Sequence, residues 1–298
     1  MGPTVKVVQA KGIMTKSNLP IGGYSVNPYL GCTHACRYCY ACFMKRFNRH
    51  DEPWGQFLDV KTWPAIKDPR RYAGQRVFIG SVTDPYLPQE EEFCRTRAVL
   101  EQLRGSGARI SIATKSDLVL RDLDLIAEFP GARVSWSINT LDESFKDDMD
   151  SAPSIARRLA AMEAFHGAGV RTTCFISPIF PGITDVGAII ERAKGICNLV
   201  WLEDLNLRGS FKGDIMGYIV ERHPDLLPLY QAIYNRRDRS YWDALDAEVR
   251  GLCDRLGLPY VVNDDSDERP LDAPPIVVNW FEHGKIRGAT AKGAERAR

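Results

Sequence analysis

From residue 74 to residue 206 short apolar runs alternate with segments of helical period, and this alternation limits the fold more than any other feature of the chain. Residues 75–82, 108–114, 133–139, 170–176 and 198–206 read as strands. Residues 90–104, 117–129, 154–165 and 185–196 read as the helices between them, with Val99, Leu100 and Leu103 on one face of the first. Repeated strand–helix units imply a parallel sheet with right-handed crossovers. Val77-Phe78-Ile79 is apolar throughout, as expected of a strand buried on both faces. A strand around residues 24–27 brings the count to six units, two short of the closed eight-unit barrel. Strand order is not written in periodicity, so an open doubly wound sheet fits the same runs. Residues 213–256 read as helical with a break at Pro224, 261–272 as an acidic loop and 275–280 as a late strand. After Phe281 large apolar residues are scarce, which predicts a disordered tail.

Composition narrows the class. Hydrophobic residues make up 44% and charged residues 26% of the 298, which excludes a disordered chain and a coiled coil. Lysine plus arginine (39) nearly balances aspartate plus glutamate (38), which argues against coating nucleic acid through overall charge. A local basic groove stays open. Lys45, Arg46, Arg49 and His50 lie among Phe43, Met44 and Phe47, and Arg236, Arg237 and Arg239 lie near Tyr234, Tyr241 and Trp242. These two patches are the sequence support for a nucleic-acid partner. An amphipathic helix with a solvated basic face is the plainer reading of the first. No apolar run approaches the roughly 18 residues of a membrane span, and residues 1–9 lack a secretory pattern. Together these predict a cytoplasmic protein with no membrane partner.

Of eight cysteines, Cys32, Cys36, Cys39 and Cys42 share one short stretch, while Cys94, Cys174, Cys197 and Cys253 are scattered and read as small buried hydrophobes. Clustered thiols in a reducing compartment point to metal chemistry rather than disulfides. The three-and-two spacing of Cys32, Cys36 and Cys39 suits three irons of a 4Fe–4S cluster and leaves the fourth iron open. Gly31 gives the backbone room to approach it. Two alternatives remain at this point. Cys42 as fourth ligand would close the cluster and make an electron carrier or redox sensor. A structural zinc in a nucleic-acid-binding module would want a second cysteine pair, which the chain lacks.

Each expected strand also ends in polar residues, where parallel α/β sheets hold their ligands. These are Ser81, Thr83 and Asp84, then Thr114, Lys115 and Ser116, then Ser137 and Asn139, then Ser177, then Asn206 and Arg208. Any one of them reads equally as a helix cap, and Ser116 and Asp117 have the pattern of one. A zwitterionic amino acid moiety needs a cation for its carboxylate and acceptors for its ammonium, and Lys115 is the available cation. Tyr40 either lines the cysteine loop or packs as core.

The loop Cys32-x-x-x-Cys36-x-x-Cys39, with Tyr38 before the third cysteine, resembles the signature of the radical S-adenosylmethionine superfamily. Gly80-Ser81-Val82-Thr83-Asp84-Pro85-Tyr86, Ala113-Thr114-Lys115-Ser116 and Ser135-Trp136-Ser137-Ile138-Asn139 extend the resemblance to its spore photoproduct lyase-like branch, over about residues 24–210. Within that branch the chain looks like the mobile pair B group, which implies a second radical SAM protein as partner. The resemblance implies an α/β fold, a partial (β/α)6 barrel of the radical SAM type with a helical C-terminal extension. Residues 1–23 would then be an N-terminal extension, 24–210 the core, 211–282 an extension packed on it and 283–298 the tail. It further implies a 4Fe–4S cluster on Cys32, Cys36 and Cys39, reductive cleavage of S-adenosyl-L-methionine to a 5′-deoxyadenosyl radical, and hydrogen abstraction from a substrate it does not name. A one-electron reductant of flavodoxin or ferredoxin type is implied as well. Ser81, Asp84, Lys115, Ser137 and Asn139 are the implied cofactor contacts, with Lys115 on the methionyl carboxylate and Asp84 on the ammonium or orienting Lys115. Spore photoproduct lyases carry a hydrogen-returning cysteine where this chain has Ser81, so repair of spore photoproduct is not expected.

Overall fold

The structure is a computed structural model and describes residues 2–17, 22–47, 50–262 and 277–281. Its strands are β1 (Thr4–Gln9), β2 (Thr15–Lys16), β3 (Tyr24–Val26), β4 (Tyr29–Leu30), β5 (Phe57–Thr62), β6 (Arg76–Ile79), β7 (Arg109–Thr114), β8 (Arg133–Ser137), β9 (Arg171–Ile179), β10 (Leu199–Asp204), β11 (Tyr260–Val262) and β12 (Val277–Phe281). Its α-helices are α1 (Glu90–Phe93), α2 (Arg95–Leu103), α3 (Leu123–Ala127), α4 (Glu143–Met149), α5 (Ile155–Gly167), α6 (Val186–Ala193), α7 (Phe211–Arg222), α8 (Leu227–Tyr234) and α9 (Ser240–Leu256).

The main sheet runs in the order β11-β12-β10-β9-β8-β7-β6-β3-β2. From β3 to β10 it holds the six expected strands, each parallel to the one before. The late strand is β12, which pairs parallel with β10 and in turn carries β11. Its two end strands, β11 and β2, do not pair with each other, so the sheet is an open, partial barrel. A smaller sheet, β1-β5-β4, was not expected from the sequence. Residues 261 and 262 of the expected acidic loop belong to β11. The remainder of that loop and the tail after Phe281 lie outside the described residues.

Burial on both faces does not hold in β6 or β7. Along β7 burial alternates, with Ile110, Ile112 and Thr114 covered and Arg109, Ser111 and Ala113 partly open. In β6, Val77 and Ile79 are wholly buried while Phe78 is not. The covered face meets the helices, where Val99, Leu100, Ile126, Leu159, Met162 and Ile190 join the strand side chains in one core. The other face is the inner side of the partial barrel, where Phe78, Ala113, Ser137 and Phe175 border a cavity. Ser154, at the head of α5, accepts the Arg157 N–H at 3.3 Å, and Asp185 caps α6 in the same way at 2.9 Å.

The helix expected over 90–104 is two helices, because Cys94 takes φ +50° and breaks the turn between α1 and α2. Cys94 is consequently half-exposed rather than core, whereas Cys174, Cys197 and Cys253 are buried as expected. The helix expected over 117–129 begins as a 3-10 turn at Leu118–Asp122. There Ser116 Oγ accepts the Leu118 N–H at 3.2 Å, while Asp117 pairs with Arg157 at 2.8 Å instead of capping.

Candidate active site

The cysteine loop follows β4 and is stitched to the ends of the parallel strands. Thr83 Oγ1 donates to the Gly31 carbonyl at 2.6 Å and Thr33 Oγ1 to Gln89 Oε1 at 2.8 Å. On the other side the Arg37 N–H donates to the Met149 carbonyl and the Ser151 N–H to the His34 carbonyl. Gly31 has φ +89°, and a Cβ there would lie 2.3 Å from the Phe57 carbonyl oxygen. No other residue fits that approach.

Cys32, His34, Cys36, Cys39 and Tyr40 from this loop face Gly80, Ser81, Thr83 and Asp84 after β6, Thr114 at the end of β7 and Lys115 after it, and Ser137 of β8, around one cavity of about 170 Å³. Four of the five expected cofactor contacts, Ser81, Asp84, Lys115 and Ser137, are thus brought together with the three cysteines. Asn139 is buried two residues beyond Ser137, away from the cavity wall, and its Nδ2 has no hydrogen-bond acceptor. Cys42 is turned away from the cavity, its Sγ 3.4 Å from Ser210 Oγ.

Asp84 is committed within the protein. Its Oδ1 accepts from Thr114 Oγ1 at 2.7 Å and the Tyr86 N–H at 2.9 Å, and its Oδ2 accepts from the Lys115 N–H at 2.6 Å. Burial would raise its pKa, but the His34 ring and these N–H donors hold the carboxyl below the ordinary aspartate range. The last of these bonds fixes the backbone of Lys115. The Lys115 ammonium lies 5.5 Å from the centre of the Tyr38 ring. Ser81 Oγ accepts from Asn27 Nδ2 at 2.9 Å, and its carbonyl accepts the Tyr40 hydroxyl.

The surroundings of the three thiols favour the neutral form. Burial pushes Cys36 up to about 12, with Lys115 opposing, and pushes Cys32 and Cys39 up as well. Neighbouring cysteines add to the rise in each case. A cation at this point would reverse that balance and bind all three as thiolates. Among the described residues no three His, Cys, Asp or Glu side chains converge closely enough for a single metal ion. The three thiols instead border a shared space, which suits a multi-iron cluster better than tetrahedral zinc. His34, 1% exposed, leaves both ring nitrogens outside hydrogen-bond geometry, although Nε2 is 3.2 Å from Asp84 Oδ2. The donor set fits a 4Fe–4S cluster.

Sequence reasoning missed the support behind the loop. The Tyr38 hydroxyl donates to Asp150 Oδ2 at 3.0 Å, and Arg158 donates to Asp150 Oδ1 at 2.9 Å and to the Ser137 carbonyl at 3.1 Å. A second contact joins the loop to α7, where Arg37 forms a bidentate pair with Asp214 at 2.8 and 2.6 Å. The two basic–aromatic patches part ways. Trp242 is buried and Tyr241 accepts the Gly182 N–H, so the second patch is core on its aromatic side. In the first, Tyr40–Phe47 is a 3-10 helix whose aromatics are not covered, with Tyr40 62% and Phe47 74% exposed. Phe43 stands between them at ring separations of 6.5 and 6.4 Å. His50 is a buried structural residue held by Asp59 at 3.0 Å, and Arg49 lies outside the described residues.

The chain belongs to the radical SAM superfamily, whose family model matches residues 26–192. An uncharacterized protein of Methanocaldococcus jannaschii is 33% identical over 256 residues, covering 83% of this chain and 96% of the relative. An uncharacterized protein of Mycobacterium tuberculosis H37Rv is 32% identical over 281 residues, covering 85% and 77%. Among solved structures, spore photoproduct lyase complexed with dinucleoside spore photoproduct aligns with a TM-score of 0.52 at 18% identity. That alignment covers 74% of this chain and 66% of the lyase. The fold is therefore of the spore photoproduct lyase type. Among the described residues no helix is long and apolar enough to cross a membrane.

Proposed function

We propose that Cys32, Cys36 and Cys39 hold a 4Fe–4S cluster with one open iron, and that the cavity beside them binds S-adenosylmethionine for hydrogen abstraction from a substrate. The observation that carries this reading is the shared cavity. Three thiols, the Lys115 cation and the strand-end groups Ser81 and Ser137 line it together, while Cys42 points to Ser210. The bound pair supplies reductive cleavage of a sulfonium carbon–sulfur bond to a 5′-deoxyadenosyl radical; this is cofactor chemistry that the protein orients.

The chain's own residues bind and position. Lys115, with its backbone fixed by Asp84 and its ammonium over Tyr38, receives the methionyl carboxylate. Ser137 and Ser81 offer hydroxyls on either side of it. Asn139 lies off the cavity wall, and its carbonyl accepts from Thr184 Oγ1 at 2.9 Å. The buried Tyr38–Asp150–Arg158 set holds the cysteine loop against the strand ends and keeps water from that side. The reducing electron comes from a flavodoxin- or ferredoxin-type donor, a second radical SAM protein is a further partner, and the cytoplasm is the compartment.

The substrate enters past Tyr40, which is both a wall of the cavity and the first ring of the exposed Tyr40–Phe43–Phe47 series. Exposed aromatics beside Lys45 and Arg46, Tyr40 stacked on Phe43 and Phe47 edge-on to it, suit a nucleobase-bearing substrate. Spore photoproduct itself is not that substrate, because no thiol other than the three proposed ligands lines the cavity among the described residues. Titration of S-adenosylmethionine into the reduced, reconstituted protein tests the open iron. A changed cluster EPR signal at saturation is expected, and an unchanged signal would return the protein to the closed-cluster, electron-carrier reading.

A further inference from the structure

His34 lies midway between Cys32 and Cys36, and its ring borders the cavity while remaining only 1% exposed. Among the described residues neither ring nitrogen has a partner in hydrogen-bond geometry, and Nε2 stands 3.2 Å from Asp84 Oδ2. The loop backbone fixes its place. The His34 carbonyl accepts the Ser151 N–H at 2.8 Å, and the Ala35 N–H donates to the Cys32 carbonyl at 3.1 Å. A buried imidazole with both nitrogens unsatisfied is costly, and such a group in a native protein calls for a ligand or another explanation.

Its neighbours on the cavity wall are engaged within the protein. Thr83 Oγ1 donates to the Gly31 carbonyl, Thr114 Oγ1 donates to Asp84 and accepts the Ser116 N–H, and both Asp84 oxygens hold donors. A methionyl group brings a carboxylate, for which Lys115 is the cation, and an amino group, which needs an acceptor. Asp84 sets which nitrogen of His34 can serve. A proton on Nε2 faces the Asp84 carboxylate, whereas a proton on Nδ1 would leave two lone pairs opposed across 3.2 Å. The neutral ring therefore carries its proton on Nε2 and leaves Nδ1 as a bare acceptor.

We infer that His34 is a binding residue for the amino acid end of S-adenosylmethionine, with Nδ1 accepting an N–H of the amino group while Asp84 holds the ring. This rests on the proposed cofactor site. Lys115 and His34 then take the two charged groups of one head group, the first from the end of β7 and the second from the cysteine loop. The Asp84 carboxylate stands between them, bonded to the Lys115 N–H at 2.6 Å. Removing the imidazole leaves Asp84 its donors from Thr114, Tyr86 and Lys115, so the lysine keeps its place.

The test is equilibrium binding of S-adenosylhomocysteine, which has the same amino acid end, and of its deaminated analogue to the reconstituted, unreduced full chain, with samples matched in iron content. Wild type is expected to prefer the ligand that keeps its amino group. His34→Phe keeps a ring and removes both nitrogens. It should lose affinity for S-adenosylhomocysteine about tenfold or more, the value of a hydrogen bond to a charged group, and bind the deaminated analogue as wild type does. His34→Asn, which returns a polar acceptor near the position of Nδ1, should recover part of that loss. A purely structural role would weaken both ligands alike, so an equal loss for the two, or none for either, would overturn the inference and leave the proposed function standing. Equal affinity of wild type for the two ligands would do the same without recourse to a variant. Failure of wild type to bind either ligand would overturn both.

Discussion

Arg158 donates to Asp150 at 2.9 Å with both side chains out of reach of solvent, and this pair stands directly behind the cysteine loop through the Tyr38 hydroxyl. Removing one member of such a pair leaves an uncompensated buried charge. Asp150→Asn is expected to destabilise the fold by about 3–5 kcal/mol. It should also lower cluster retention, since Tyr38 loses its acceptor. Chemical denaturation measures the first effect and iron content after reconstitution the second.

The same carboxylate predicts an acid limit. Burial would raise the pKa of Asp150, but Arg158 and Lys115 outweigh burial and hold it below the ordinary range. A carboxylate depressed in the folded state contributes its stability in full above the unfolded value of about 3.9 and loses it as pH falls through the folded value. Thermal melts of cluster-free protein should therefore fall off below about pH 4. The decline should be shallower in Asp150→Asn.

Lys115→Ala removes the cation assigned to the methionyl carboxylate. Affinity for S-adenosylmethionine should weaken by roughly 1.5–3 kcal/mol, the value of a hydrogen bond to a charged group. Cluster content should not change. Equilibrium binding to the reconstituted protein gives the number, and unaltered affinity would make Lys115 a bystander.

Ser81 lines the cavity, and its O–H bond is too strong to return a hydrogen atom efficiently. Incubation with the thymine dimer substrate, dithionite and S-adenosylmethionine under argon should give no repeated turnover to thymine. Ser81→Cys is the variant expected to gain it. Efficient turnover by the unaltered chain would refute the assignment.

The site was legible where its parts are local in the chain. Cys32, Cys36 and Cys39 carry their spacing in one loop, and Ser81, Asp84, Lys115 and Ser137 each follow or end an apolar run, so a parallel sheet brings them to one edge. What pairs across the fold was not legible. Asp150 and Arg158 come from a loop and a helix, and no periodicity marks a buried ion pair. The placement of β12 beside β10, ahead of β11, is likewise a matter of sheet order. Apolar character misled in two places. Phe78 faces the open concave side, and Phe43 and Phe47 remain uncovered, because side-chain type sets what burial would gain and not what is available to cover it.

Cleavage of S-adenosylmethionine by a cluster on Cys32, Cys36 and Cys39 is measured most directly as 5′-deoxyadenosine formation by the anaerobically reconstituted chain with dithionite, scored against iron content. The unaltered protein and Cys42→Ala should each carry about four irons and form 5′-deoxyadenosine, with Cys32→Ala, Cys36→Ala and Cys39→Ala losing both. A wild type that holds its cluster and forms no 5′-deoxyadenosine, together with a Cys42→Ala variant that loses the cluster, would contradict it.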